Sequence, residues 1–168
     1  CGVTGTVRVK GRTWQVKGVG LRDHGWGTRD WDALLSHRWT LGTFDRDNSF
    51  VAMSFLLNSG QMATFGWVIR DGKVIFAQDV AIRAIIGHDG ATNHGGTTRL
   101  TLTTGEVLEA TFTPVYPGIA SWVHKTICYD SMCEVRWGER RGFGVFETTS
   151  NIQGGTARPT VYDGSMGP

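Results

Sequence analysis

The chain has 168 residues, with 17 basic and 15 acidic side chains, a net charge of +2, 24 glycines and 7 tryptophans. That length suits one domain with a real core, and the supply of aromatic and branched residues excludes disorder. Four prolines without a three-residue glycine period exclude collagen, the near-balanced charge lacks the one-sided basic stripe of a nucleic-acid binder, and no apolar run approaches the ~18–20 residues of a membrane helix.

In chain order, residues 6–10 and 13–16 alternate around Gly11 and predict a hairpin. Residues 30–37 have room for one short helical turn. Residues 36–44 read as a strand, and 48–57 as a strongly apolar and therefore central one. Residues 62–70 and 73–80 flank Asp71-Gly72, a strong hairpin signal because a type I′ turn needs positive φ at both central positions. Residues 99–103 and 106–116 flank Thr104-Gly105; Leu108, Ala110 and Phe112 share one face, and Glu109, Thr111 and Thr113 the other. Strands at 122–129, 133–137 and 142–148 complete a set of nine or ten. Many short strands joined by glycine-rich turns predict an all-β fold, a single antiparallel barrel or sandwich, in which closure removes exposed edges. The domain is expected over residues 1–153, and residues 154–168, rich in Gly, Pro, Ser and Thr, form an irregular tail.

The cysteines are Cys1, Cys128 and Cys133. An odd number does not read as a disulfide framework; Cys128 and Cys133 could close a hairpin, but two reduced thiols are the expectation. No Cys/His spacing signals zinc, and neither a metal nor a cofactor is expected. Without a signal-peptide pattern the chain is expected in the cytoplasm. Its first residue is Cys rather than Met, which reads as a piece of a longer chain.

One segment departs from plain strand-and-turn sequence: Gly18-Val19-Gly20-Leu21-Arg22-Asp23-His24-Gly25-Trp26-Gly27-Thr28-Arg29-Asp30-Trp31. In an extended backbone His24 and Trp26 share a side, which sets an acid/base group beside an apolar wall, with Asp23 or an arginine to bias its charge. The architectural reading stands beside this one: Arg22 or Arg29 pairs with Asp23 or Asp30, and Trp26 and Trp31 plug a barrel end.

Residues 20–31 of this segment resemble the signature of the AttH-like and carotenoid 1,2-hydratase (hydroxyneurosporene synthase) superfamily. The strand pair Gly5-Thr6-Val7-Arg8-Val9-Lys10-Gly11-Arg12-Thr13-Trp14 is similar to the one before that signature, and Gly142-Phe143-Gly144-Val145-Phe146-Glu147 to a later strand. The resemblance spans most of residues 2–150. It implies a lipocalin-like barrel, the second of a tandem pair, with an apolar cavity for an isoprenoid, steroid or polyketide-like ligand. It also implies addition–elimination, isomerisation or cyclisation, with His24 as proton carrier, Asp23 orienting it and Trp26 shaping the intermediate. The hydratases add a Tyr and an Asp on the strand after the motif; this chain has Phe50-Val51-Ala52-Met53-Ser54-Phe55 there. The alternatives are a carrier without chemistry and a structural half that packs on a second barrel domain or a second copy.

The expected cavity walls are Trp26, Trp39, Met53, Phe55, Phe65, Trp67 and Trp122, with His124 beside Trp122. Arg22, Arg29, Asp30, Trp31 and Glu147 are expected to hold the motif, Glu147 facing inward to meet Arg22 or His24. His37 reads as a satisfied interior or rim histidine, and His88, Asp89 and His94 as a glycine-flanked surface loop.

Overall fold

The computed structural model describes residues 1–28, 30–123 and 125–151. It is all-β, with eleven strands among those residues: β1 (Gly2–Val9), β2 (Arg12–Val19), β3 (Leu34–Thr43), β4 (Asn48–Leu57), β5 (Met62–Arg70), β6 (Lys73–Ile86), β7 (Asn93–Leu102), β8 (Val107–Pro114), β9 (Ile119–Val123), β10 (Thr126–Trp137) and β11 (Arg140–Asn151). Eight of them close an antiparallel barrel in the order β3-β4-β5-β6-β7-β8-β10-β11, with β11 returning to β3. β9 pairs with β10 over Thr126 to Asp130, continuing the edge that β8 follows from Cys133 onward. β1 and β2 form a separate hairpin.

Local chemistry places the turns. Lys10-Gly11 and Asp71-Gly72 both hold positive φ at both positions, 47° and 76°, then 50° and 73°, the requirement of a two-residue turn matched to strand twist. The short helical turn expected at 30–37 is absent. Instead Asp30 Oδ1 accepts from the backbone N–H groups of Asp32 and Ala33, an aspartate-bonded turn that leads directly into β3.

The barrel interior is filled. Phe50, Val68, Leu100, Leu102, Leu108, Ala110, Phe112, Val135 and Phe146 are buried and packed together. Phe50 meets Phe112 nearly edge-on at 81°, and Phe112 meets Phe146 at 59°, the arrangements that aromatic quadrupoles prefer. Toward the end that begins β3, the inward side chains turn polar and most are hydrogen-bonded, as buried polar groups usually are, the Thr148 hydroxyl being an exception among the described residues. Thr40 and Thr98 hydroxyls meet at 2.9 Å, Asn93 Nδ2 donates to the Phe146 carbonyl at 2.9 Å, and the buried Arg38 donates to the carbonyls of His37 and Thr149. At the crossing of β6 and β7, Gly96 lets backbones touch: a Cβ there would lie 1.8 Å from the Arg83 carbonyl oxygen.

Candidate functional site

The register decides which side chains face out. Phe146 opposes Thr40, and both are buried; their strand neighbours Glu147, Trp39 and His37 therefore face outward. Through the next pairs, Trp39–Met53, His37–Phe55, Met53–Phe65 and Trp67–Phe76, the outer surface of β3 to β6 carries a continuous aromatic stripe. His37 stacks on Phe55 at 4.4 Å and 12°, Phe55 on Phe65 at 5.6 Å and 16°, and Phe65 lies beside Trp67 at 6.5 Å and 13°. Phe65 is 44% exposed and Phe76 62%. Trp39, Met53, Phe55, Phe65 and Trp67 therefore line the outside and not an interior cavity. In β4 every position from Phe50 to Met53 is apolar, so residue type alone does not choose the inward parity, and a shift of one residue reverses it.

The stripe ends in a group of titratable side chains. His37 Nδ1 lies 3.2 Å from Glu147 Oε1, and Thr149 Oγ1 donates to the same oxygen at 3.0 Å. Across the β10–β11 ladder Glu147 faces Asp130 directly, and the next outward pair is Cys128–Thr149. Like charges set opposite each other destabilise a ladder, so two half-buried carboxyls here cannot both stay ionised at no cost. Burial first, and then the Glu147 carboxylate, pushes Asp130 up to about 6. For Glu147, burial works upward too, but the hydrogen bond and charge of His37 outweigh it and hold the group below its ordinary value. Of the pair, Asp130 is the one that keeps its proton up to about pH 6, and Glu147 carries the charge below that. Burial lifts the Cys128 thiol to about 12, so that sulfur is an unreactive thiol at neutral pH. Cys128 Sγ and the carboxylate oxygens of Asp130 and Glu147 lie within 4.8 Å of one another, a donor set able to hold a borderline cation such as zinc.

The motif residues stand elsewhere. Arg22, Asp23, His24 and Trp26 lie in an irregular exposed segment between the hairpin and β3. Arg22 Nη2 is 3.2 Å from His24 Nδ1, the His24 and Trp26 rings are 5.0 Å apart, and Trp26 is 84% exposed. The acid/base group and its indole are thus adjacent, but on the surface and not against an apolar cavity. Asp30 serves the turn described above, and Trp31 is half-buried. Arg29, His124 and the tail at 154–168 lie outside the described residues. Trp122, on β9, is 60% exposed. Glu147 does not face inward toward Arg22 or His24; it faces outward to His37.

Cys128 and Cys133 are both free. Five positions apart on one strand, they point to opposite faces, Cys133 into the core, so a hairpin disulfide between them has no geometry. In the loop after β6, the Asp89 carboxylate accepts from the backbone of Ala91 and Thr92 and from the Thr92 hydroxyl. Those bonds, the Thr92 side chain foremost, lower it to about 2, and its oxygens serve the turn. An open cleft nearby is lined by Asn93, His94, Pro114, Tyr116, Pro117 and Tyr129.

Asp130 and Cys128 had no prominence in the sequence. Their one signal is the Cys-x-Asp spacing, which puts both on one strand face; that this face meets Glu147 and His37 depends on register between distant strands. No curated protein matches the chain. Residues 1–152 match the family described as Domain of unknown function (DUF7064), and since that match takes in the hairpin, the motif segment and the barrel, the chain belongs to this family.

Proposed function

We propose that the domain binds an elongated apolar ligand, of isoprenoid, steroid or polyketide type, along the outer aromatic stripe, with the ligand's polar end at Asp130, Glu147 and His37. The observation that carries this reading is the row of near-parallel rings, His37, Phe55, Phe65 and Trp67, running into a half-buried carboxyl pair. Stacked rings offer an extended apolar track, and below about pH 6 a protonated Asp130 beside an ionised Glu147 supplies a donor and an acceptor. Two carboxyls pushed apart in this way are the usual arrangement of an acid/base pair. The likeness of residues 20–31 to the hydratase signature supports the same ligand class, and it makes Asp23, His24 and Trp26 a second proton-handling group once another surface closes over them.

A naphthalene-type fluorescent probe, displaced by farnesol or by a sterol, tests binding. Phe65→Ser and Trp67→Ala are expected to weaken it at least tenfold in a folded protein. Undiminished binding in both variants, or no binding by the native chain, overturns the reading. Asp130→Asn separates chemistry from carriage: a carrier keeps its affinity, whereas an enzyme keeps affinity and loses turnover.

A further inference from the structure

The hairpin and the stripe share a property: each is an apolar β surface that the other described residues leave uncovered. The pairs Val7–Trp14 and Val9–Arg12, with Val3 opposite Gly18, put Val3, Val7, Val9 and Trp14 on one hairpin face. These four are 39% to 51% exposed. The other face is polar and internally bonded, Thr6 to Gln15 and Arg8 to Thr13. A lone two-stranded hairpin is marginal in water, and an amphipathic one is stabilised by the surface its apolar face meets. The stripe has the converse need. A ligand pocket covers most of its ligand's surface, and an open sheet face covers one side.

Charge selects the occupant. The charged side chains in residues 1–19 are Arg8, Lys10, Arg12 and Lys17, all cationic; the rest of the chain holds 13 basic and 15 acidic residues. The hairpin is thus opposite in sign to the remainder of its own sequence, and the stripe ends at two carboxyls, Glu147 and Asp130.

We infer that the chain forms a two-fold dimer in which the hairpin of each copy lies, apolar face down, across the aromatic stripe of the other. Trp14 and Val7 meet Phe65 and Phe76, and the cationic tip at Lys10 and Arg12 reaches toward the acidic end of the stripe. Reciprocity uses each surface twice, which is how small patches reach the ~1,200–2,000 Å² of a stable interface. The inference extends the reading above, since the partner's hairpin becomes the roof of the ligand track; the association itself needs no ligand.

Light scattering with sedimentation on the 168-residue chain tests it, without ligand and at concentrations up to 100 µM. The native chain is expected at twice the chain mass. Trp14→Glu and Phe65→Glu are each expected to sediment as folded monomers, with circular dichroism unchanged. A mixture of the two restores one of the two hairpin-on-stripe contacts and is expected to associate weakly, but more than either variant alone. A native monomer overturns the inference. So does a dimer broken by Trp14→Glu but not by Phe65→Glu, which would mean hairpin on hairpin or another surface, and so does a mixture that associates no more than either variant alone. Failure here leaves ligand binding to the probe titration, which reads the stripe on its own.

Discussion

The two aromatic regions of this barrel use the same residue types for different ends. Inside, Phe50, Phe112 and Phe146 meet edge to face and are almost wholly excluded from solvent. Outside, Phe55, Phe65 and Trp67 lie nearly parallel and stay partly exposed. Edge-to-face contacts fill a volume from several directions; a stacked row along one sheet face leaves its outer side open. An antiparallel sheet ordinarily keeps one face packed and one face polar, so apolar character on both faces of β4 and β5 says that the second face also has something to meet. The interior is a matter of stability, and the outer stripe is where the proposed ligand and partner hairpin would lie.

The sharpest break in that comparison is a truncation on each side. Phe146→Ala empties the packed interior and is expected to cost about 3–5 kcal/mol, read as a lower denaturation midpoint in urea at unchanged slope. Phe65→Ser removes a ring that is already 44% exposed and is expected to cost about 1 kcal/mol or less while reducing probe affinity. Equal stability losses at the two positions would erase the distinction between core and stripe.

A smaller effect probes the polar half of the interior. Thr40→Val keeps the shape of the side chain but removes the hydroxyl that meets Thr98 at 2.9 Å. The Thr98 hydroxyl then stands buried without that partner, at a cost of about 1–2 kcal/mol. Adding Thr98→Val should return part of the loss, since two apolar groups of equal shape leave no orphan. A double variant as unstable as the two single losses added together would show that the threonines act independently.

Sequence made the strands and turns legible where the signal was local. Asp71-Gly72 specified its own hairpin, and alternation at Leu108, Ala110 and Phe112 placed them on one face, all of them buried. It ended β6 at Val80 and began β7 at Arg99, short of the observed Ile86 and Asn93, because Asn93, Gly95 and Gly96 look like loop residues. They sit in the ladder because Asn93 bonds the Phe146 carbonyl and Gly96 permits the close approach to Arg83. The sequence likewise places strands at 122–129, which joins the end of β9 to the start of β10, and at 133–137: Asp130-Ser131 looks like a break, yet Ser131 is buried and its hydroxyl donates to the Asn93 carbonyl. The candidate site was less legible. Its ring types were visible, but their outward direction depends on a parity that an all-apolar β4 does not encode, and the Asp130–Glu147 contact joins residues whose pairing only the closed barrel specifies.

The smallest effect addresses the carboxyl pair that distinguishes one end of the stripe. Asp130 is raised in the folded protein to about 6 from an ordinary 3.8. A raised carboxyl binds its proton more tightly folded than unfolded, so it adds no penalty below about pH 4, and stability falls as pH rises from there to about 6. Glu147 is shifted the other way; its contribution is lost only as pH falls below the ordinary carboxylate range, which leaves the window from about 4.5 to 6 to Asp130. Asn at position 130 cannot ionise. Asp130→Asn should therefore come nearest the native chain at about pH 4 and exceed it most above pH 6.5. For a half-buried group screened by solvent the gain is about 1 kcal/mol, or roughly 2–4 °C in Tm for a chain of this size. A gap that does not change with pH would mean that the two carboxyls do not share a proton.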